Sequence, residues 1–99
     1  MHKTLLKLYI TGQTPKSQRA IANIHRICEH DLQGKYEVVI IDVIEQPELA
    51  EEAKILATPT VIKELPPPLS RVIGDLVDID KVLLGLDIQP FIKTTGKEV

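Results

Sequence analysis

At 99 residues the chain is sized for one domain with a modest core, since a chain of this length buries roughly 65% of the surface it exposes when unfolded. The apolar fraction of 43% is ordinary, but the only aromatics are Tyr9, Tyr36 and Phe91, so the core has to be built from Ile, Leu and Val. A formal net charge of -2 supplies no basic stripe for nucleic acid, no apolar run approaches a membrane span, and a single cysteine, Cys28, excludes an intrachain disulfide.

Lys3 to Ile10 reads as a strand rich in Leu and Ile that the Gly12 turn ends. It follows the first residues without the apolar block of a signal peptide, and a cytoplasmic protein is expected. Thr14 is placed to cap a helix with Pro15 at its first position, running to about Gln33 before Gly34 stops it. Ala20, Ile21, Ile24, Ile27 and Cys28 share its apolar face, which marks Cys28 as a buried structural cysteine. Glu37 to Val43 contains Val38-Val39-Ile40-Ile41, a β-branched run of the kind found in strands covered on both faces. Strand, helix and strand at this spacing imply a right-handed parallel unit.

Pro47 opens a short helix with Leu49, Ala53 and Leu56 on one side, and Thr60 to Glu64 reads as a third strand entered through Pro59. Pro66-Pro67-Pro68 is a hard break, because proline donates to no ladder and disfavours helix in its predecessor. Beyond it Arg71 to Ile73 fits either a fourth strand closing a hairpin or the end of a helix. Asp78 caps a helix in which Ile79, Val82, Leu83 and Leu86 fall at helical spacing, with Gly85 inside it weakening it by about 1 kcal/mol relative to alanine. Pro90 ends that helix. Residues 1–92 are expected to form a single domain and residues 93–99 a flexible tail.

Little in this pattern carries chemistry. His2, His25 and His30 show no ligand spacing with acids or Cys28, so no metal or other cofactor is expected. Ser17 and Ser70 lack nucleophile-elbow glycines and there is no phosphate-binding glycine loop, so the chain is not expected to be an enzyme. Asp42, Glu45, Glu48, Glu51 and Glu52 follow one another with no basic residue before Lys54. Such a run is most often a solvated face; the sharper reading is a docking surface.

The Thr58-Pro59-Thr60 turn, after two strand-then-helix patterns, resembles that of thioredoxin-type folds, whose redox members carry two cysteines between the first strand and first helix. Gly12-Gln13-Thr14-Pro15 stands there instead, so disulfide exchange from that turn is excluded. A closer resemblance is carried by Lys7-Leu8-Tyr9, Gly12, Thr14-Pro15, Ile41-Asp42-Val43, Pro47, Leu49-Ala50-Glu51-Glu52, the run from Lys54 to Thr60, Leu65-Pro66-Pro67-Pro68, Ile73-Gly74-Asp75-Leu76 and Leu84-Gly85-Leu86-Asp87. From residue 3 to about 88 the chain resembles the KaiB family of circadian clock proteins.

That resemblance implies an α/β, thioredoxin-like fold whose C-terminal half, about residues 58–88, also adopts an alternative βαββααβ arrangement in a resting dimer or tetramer, the form expected of the free chain. It implies a non-catalytic protein that binds the N-terminal ATPase ring of a KaiC-type protein, modulates its phosphorylation and competes with a sensor histidine kinase. On this basis Glu48, Glu51, Glu52, Lys54 and Arg19 are the expected KaiC-facing residues, and Gly85 and Asp87 match positions that bias the balance between forms. Pro59, Pro66, Pro67 and Pro68 are the candidate conformational prolines. The segment Lys35-Tyr36-Glu37-Val38-Val39, the tail from Phe91 to Val99, and Lys16 and Gln18 depart from the cyanobacterial pattern. Those departures argue against KaiA as a partner and leave a role in stress adaptation as plausible as one in a rhythm. The rival expectations are a thioredoxin-like adaptor of a two-component kinase, which the absence of a following kinase weakens, and a degenerate redox protein using Cys28 alone.

Overall fold

The computed structural model describes residues 3–33 and 35–88. Along them run β1 (Thr4–Ile10), α1 (Pro15–Asp31), β2 (Tyr36–Asp42), α2 (Pro47–Glu52), β3 (Thr60–Leu65), β4 (Ser70–Ile73) and α3 (Ile79–Gly85). Gly34, Pro90 and the expected tail at 93–99 lie outside the described residues.

The strands form one sheet in the order β2-β1-β3-β4. β1 pairs parallel to β2 with Leu8 opposite Ile40, and antiparallel to β3 with Leu8 opposite Val61; β4 pairs antiparallel to β3 with Val72 opposite Val61. The parallel pair is the expected strand, helix, strand unit, with α1 as its crossover. α1 starts where Thr14 Oγ1 accepts from the Ser17 backbone N–H at 3.1 Å with Pro15 next in line, which satisfies one of the donors a helix start leaves open.

Side chains alternate across the sheet. Leu6, Leu8 and Ile10 of β1 and Val61 of β3 face Ala20, Ile24, Ile27 and Cys28 of α1 and Val82, Leu83 and Leu86 of α3, closing the main core. On the opposite face Tyr9, Ile41 and Ile62 form a smaller cluster against which Leu49 and Ala53 pack. β2 is a sheet edge whose β-branched run is covered on both faces as expected, Val38 against the main core and Val39 and Ile41 against the smaller cluster; β1 and β3 take the centre. One expectation is corrected here. Leu56 does not extend the apolar side of α2, because the helix has ended at Glu52 and the chain turns away.

The open choice after the triple proline resolves as a strand. β3 continues through Pro66-Pro67-Pro68 into β4, and Ser70 Oγ donates to the Leu86 carbonyl at 3.3 Å, tying the hairpin to α3. The Thr58–Pro59, Leu65–Pro66 and Pro67–Pro68 bonds are cis. Asp78 caps α3 as expected, its carboxylate accepting from the Lys81 N–H at 3.2 Å. Gly85, however, is the last residue of α3 and not an interior one, and a Cβ built on it would lie 2.5 Å from Val72 Cγ2 of β4. Among the described residues no helix is long and apolar enough to cross a membrane.

Lys63 is an unexpected member of the interior. It is 2% exposed, on the face of β3 that Val61 shares, and Nζ donates to the Pro66 carbonyl at 2.8 Å. A buried ammonium with one carbonyl acceptor carries a desolvation cost that a single charge-assisted bond offsets only in part.

Candidate functional site

Because β1 and β2 run parallel and β3 returns against them, the C-terminal ends of β1, β2 and β4 and the start of β3 lie at one end of the sheet. Four connections meet there: residues 11–14, 43–46, 54–59 and 74–78. They are bonded to one another. Thr11 and Thr58 share a hydroxyl hydrogen bond, and the Gly74 N–H donates to the Pro59 carbonyl at 2.8 Å. Asp42 Oδ1 accepts from the Gly12 N–H at 3.2 Å and the Ile44 N–H at 3.0 Å. Asp42 therefore leaves the acidic run assigned to a docking face, since its carboxylate is spent on fastening two of these loops.

The turn that holds a cysteine pair in redox thioredoxins is here the α1 cap. Thr14 Oγ1 donates to Ser17 Oγ at 3.0 Å, and Ser17 Oγ donates to the Thr11 carbonyl at 3.3 Å. Cys28 sits in the main core, and burial, with smaller contributions from Glu29 and Asp31, pushes its thiol up to about 12. Nucleophilic sulfur chemistry needs the thiolate, so the degenerate redox reading loses its only reagent. Among the described residues no group of three or more His, Cys, Asp and Glu could hold a metal.

What this end of the molecule offers is surface. A groove of about 360 Å³ lies between α2 and the loops, lined by Thr11, Val43, Pro47, Ala50, Ile55 and Thr58 among others. Leu56 stands at its rim 95% exposed, with Ile44 also exposed nearby in sequence to α2. Glu48, Glu51, Glu52 and Lys54 are exposed on α2 and its exit. Arg19 approaches the same end from α1, on the other face of the sheet, with Nε 3.3 Å from Asp75 Oδ2, while Asn23 Nδ2 donates to the Asp75 carbonyl at 2.9 Å. Of the prolines, Pro59 is part of this end; Pro66, Pro67 and Pro68 turn the chain at the opposite one, as do Gly85 and Asp87.

Two of the residues singled out share a backbone conformation that no sequence signal announced. Lys54 has φ 56° and Asp87 has φ 58°. Each follows a helix cap, and each helix closes in the same way. The Lys54 N–H donates to the Glu51 carbonyl at 3.1 Å and the Ile55 N–H to the Ala50 carbonyl at 2.9 Å; the Asp87 N–H donates to Leu84 at 3.1 Å and the Ile88 N–H to Leu83 at 2.9 Å. This is the Schellman closure, whose left-handed position usually falls to glycine. A residue with a Cβ there carries a strain of about 1–2 kcal/mol. Arg71, which sequence reasoning did not mark, completes the α2 closure: Nη2 donates to the Ala53 carbonyl at 2.9 Å and Nη1 to the Lys54 carbonyl at 3.2 Å.

Residues 7–88 match the KaiB domain family. The chain is 62% identical over 90 residues to circadian clock protein KaiB3 of Synechocystis sp., covering 91% of this chain and 88% of that protein. It is 56% identical over 84 residues to the circadian clock oscillator protein KaiB of a Prochlorococcus marinus strain, covering 85% of this chain and 80% of the relative. These relatives are named as clock proteins and not as enzymes. In three dimensions the chain superimposes on the N-terminal domain of SasA from Synechococcus elongatus with a TM-score of 0.72 at 25% identity, covering 94% of this chain and 91% of that one. Mitochondrial thioredoxin 3 of Saccharomyces cerevisiae shares the fold at a TM-score of 0.68 and 17% identity, over 88% of this chain and 79% of the other. With the family match running from Lys7 within β1 through the end of α3, the chain belongs to the KaiB family of circadian clock proteins.

Proposed function

We propose that this protein docks on the N-terminal ATPase ring of a KaiC-type protein through the loop end of its sheet and thereby modulates the phosphorylation state of that protein. The observation that carries the reading is Leu56, a large apolar side chain left 95% exposed beside a groove and bordered by Glu51, Glu52 and Lys54. An apolar anchor with a mixed-charge rim is the anatomy of a protein interface, and burying one leucine contributes about 1.5–3 kcal/mol. Glu48, Glu51, Glu52 and Lys54 meet the ring from α2, and Arg19 from α1. Residues 1–92 act as one domain, in the cytoplasm, with 93–99 as its tail. The free chain rests as a dimer or tetramer in the alternative arrangement of residues 58–88, so self-association and ring binding compete by mass action.

Native mass spectrometry of the protein alone, and mixed with the KaiC-type ATPase of its own organism and ATP over hours, tests this reading. A slow passage from oligomer to monomers filling the ring is expected, and a persistent oligomer that ignores the ring refutes it. A second reading, an adaptor for a sensor histidine kinase, draws support from the likeness to the SasA domain. It predicts retention of the protein on such a kinase even where no ATPase ring is bound.

A further inference from the structure

Resting on that docking reading, we infer that Arg71 is a positioning residue for the docking loop, holding Lys54, Ile55 and Leu56 in place from a strand that belongs to the other half of the chain. α2 has six residues, buries none of them fully, and has no side-chain cap at its start. Nothing in its own sequence makes it rigid. Its exit turns through Lys54 at φ 56°, a conformation that an L side chain adopts only when its surroundings hold it there. The carbonyls of Ala53 and Lys54, left open by the end of the helix, receive both arms of one guanidinium.

Arg71 reaches them because of sheet register and not because of chain proximity. It lies opposite Ile62, on the face of the sheet that α2 covers. A slip of β4 by one residue would carry Arg71 to the α3 face and release the turn. The Arg71 fastening of the docking loop thus exists only while residues 70–73 are paired as a strand against β3. Below the turn, Thr60 Oγ1 donates to the Ala57 carbonyl at 2.6 Å and Thr11 bonds Thr58, so the loop from Lys54 to Thr58 is fastened at both ends with Leu56 between. The guanidinium fork is what the geometry asks for, since a lysine ammonium on one flexible stem does not reach both carbonyls with the same alignment.

The test uses the full chain with Arg71→Ala and Arg71→Lys, read by amide hydrogen exchange on the monomer separated from any oligomer, the form with β4 paired to β3, and by binding to the KaiC-type ATPase ring with ATP. Exchange at the Lys54 and Ile55 amides is expected to rise about tenfold in both variants, with β3 and β4 amides unchanged, and ring affinity to fall by about the same factor. Arg71→Lys keeps the charge and serves where Arg71→Ala fails to fold. Unchanged exchange at Lys54 and Ile55 overturns the inference, as does exchange that rises throughout β3 and β4, which would mark Arg71 as generally structural. Faster loop exchange with full ring affinity overturns it too. If the wild-type chain does not bind the ring, the docking reading fails, while the exchange data still judge whether Arg71 orders the loop.

Discussion

Gly85 and Val72 should be energetically coupled, and the size of the coupling follows from one contact. Gly85 ends α3 without a left-handed φ, so alanine there is free to stay helical and should stabilise the helix end by up to about 1 kcal/mol, the interior value being the ceiling. The added methyl would stand 2.5 Å from Val72 Cγ2, where ordinary carbon contacts are about 3.5–4.0 Å. Valine is stiff at χ1, and moving its methyl away costs about 0.5–1.5 kcal/mol. Gly85→Ala alone should therefore leave this arrangement nearly unchanged in stability, whereas the same substitution in a Val72→Ala background should gain the full helix contribution. The assay is a double-mutant cycle from urea unfolding followed by circular dichroism, with size-exclusion runs confirming that all four proteins are compared as monomers, the form that has this contact. Equal effects of Gly85→Ala in both backgrounds, within about 0.3 kcal/mol, would refute the contact as a constraint.

Cys28, held protonated by burial to about pH 12 against an ordinary value of 9, makes stability fall with rising pH. Above pH 9 the unfolded chain releases the proton that the folded chain keeps, a slope of up to about 1.4 kcal/mol per unit. Tyr9, raised chiefly by burial, and Tyr36, raised chiefly by donating to Glu29, add in the same direction above pH 10. The cysteine share is isolated by subtracting the alkaline urea titration of Cys28→Ala, and a parallel slope in the two proteins would contradict the assignment. Asp87→Asn should stabilise α3 by about 0.5–1 kcal/mol, since it removes a negative charge from a helix C-terminus and asparagine tolerates the left-handed position better. Thermal unfolding checks it, and a lower melting temperature would count against the Schellman reading. Lys63→Met should raise stability by about 1–3 kcal/mol, because the stem is kept, the ammonium's desolvation is removed, and the carbonyl of exposed Pro66 can turn to water. A destabilised Lys63→Met protein would show that the single bond to Pro66 outweighs that desolvation.

The local elements were legible because their signals are local. Thr14-Pro15, the 3.6-residue apolar face of α1, Asp78 as a cap and the triple-proline break are each read within a few residues. The same holds for the missing thiol at the first turn and for the inert Cys28, whose apolar neighbours along the helix already imply its burial. Residues tied to distant partners were not legible: Arg71 bonds carbonyls 17 and 18 positions away, and Asp42 looks like one more acid of a charged run until its two backbone donors are seen.

By itself the sequence determined the period of each segment, the frame of strand, helix, strand and helix, the absence of redox chemistry at its turn, and the family to which the chain belongs. Tertiary structure alone decided which strands are central, which face Lys63 enters, and whether residues 70–73 pair as a strand. The reason is energetic. Residues 71–73 fit strand or helix nearly as well, so local preference leaves the choice open. The pairing of Val61 with Leu8 and Val72 is what makes residues 70–73 a strand and brings the four connections to one end of the sheet.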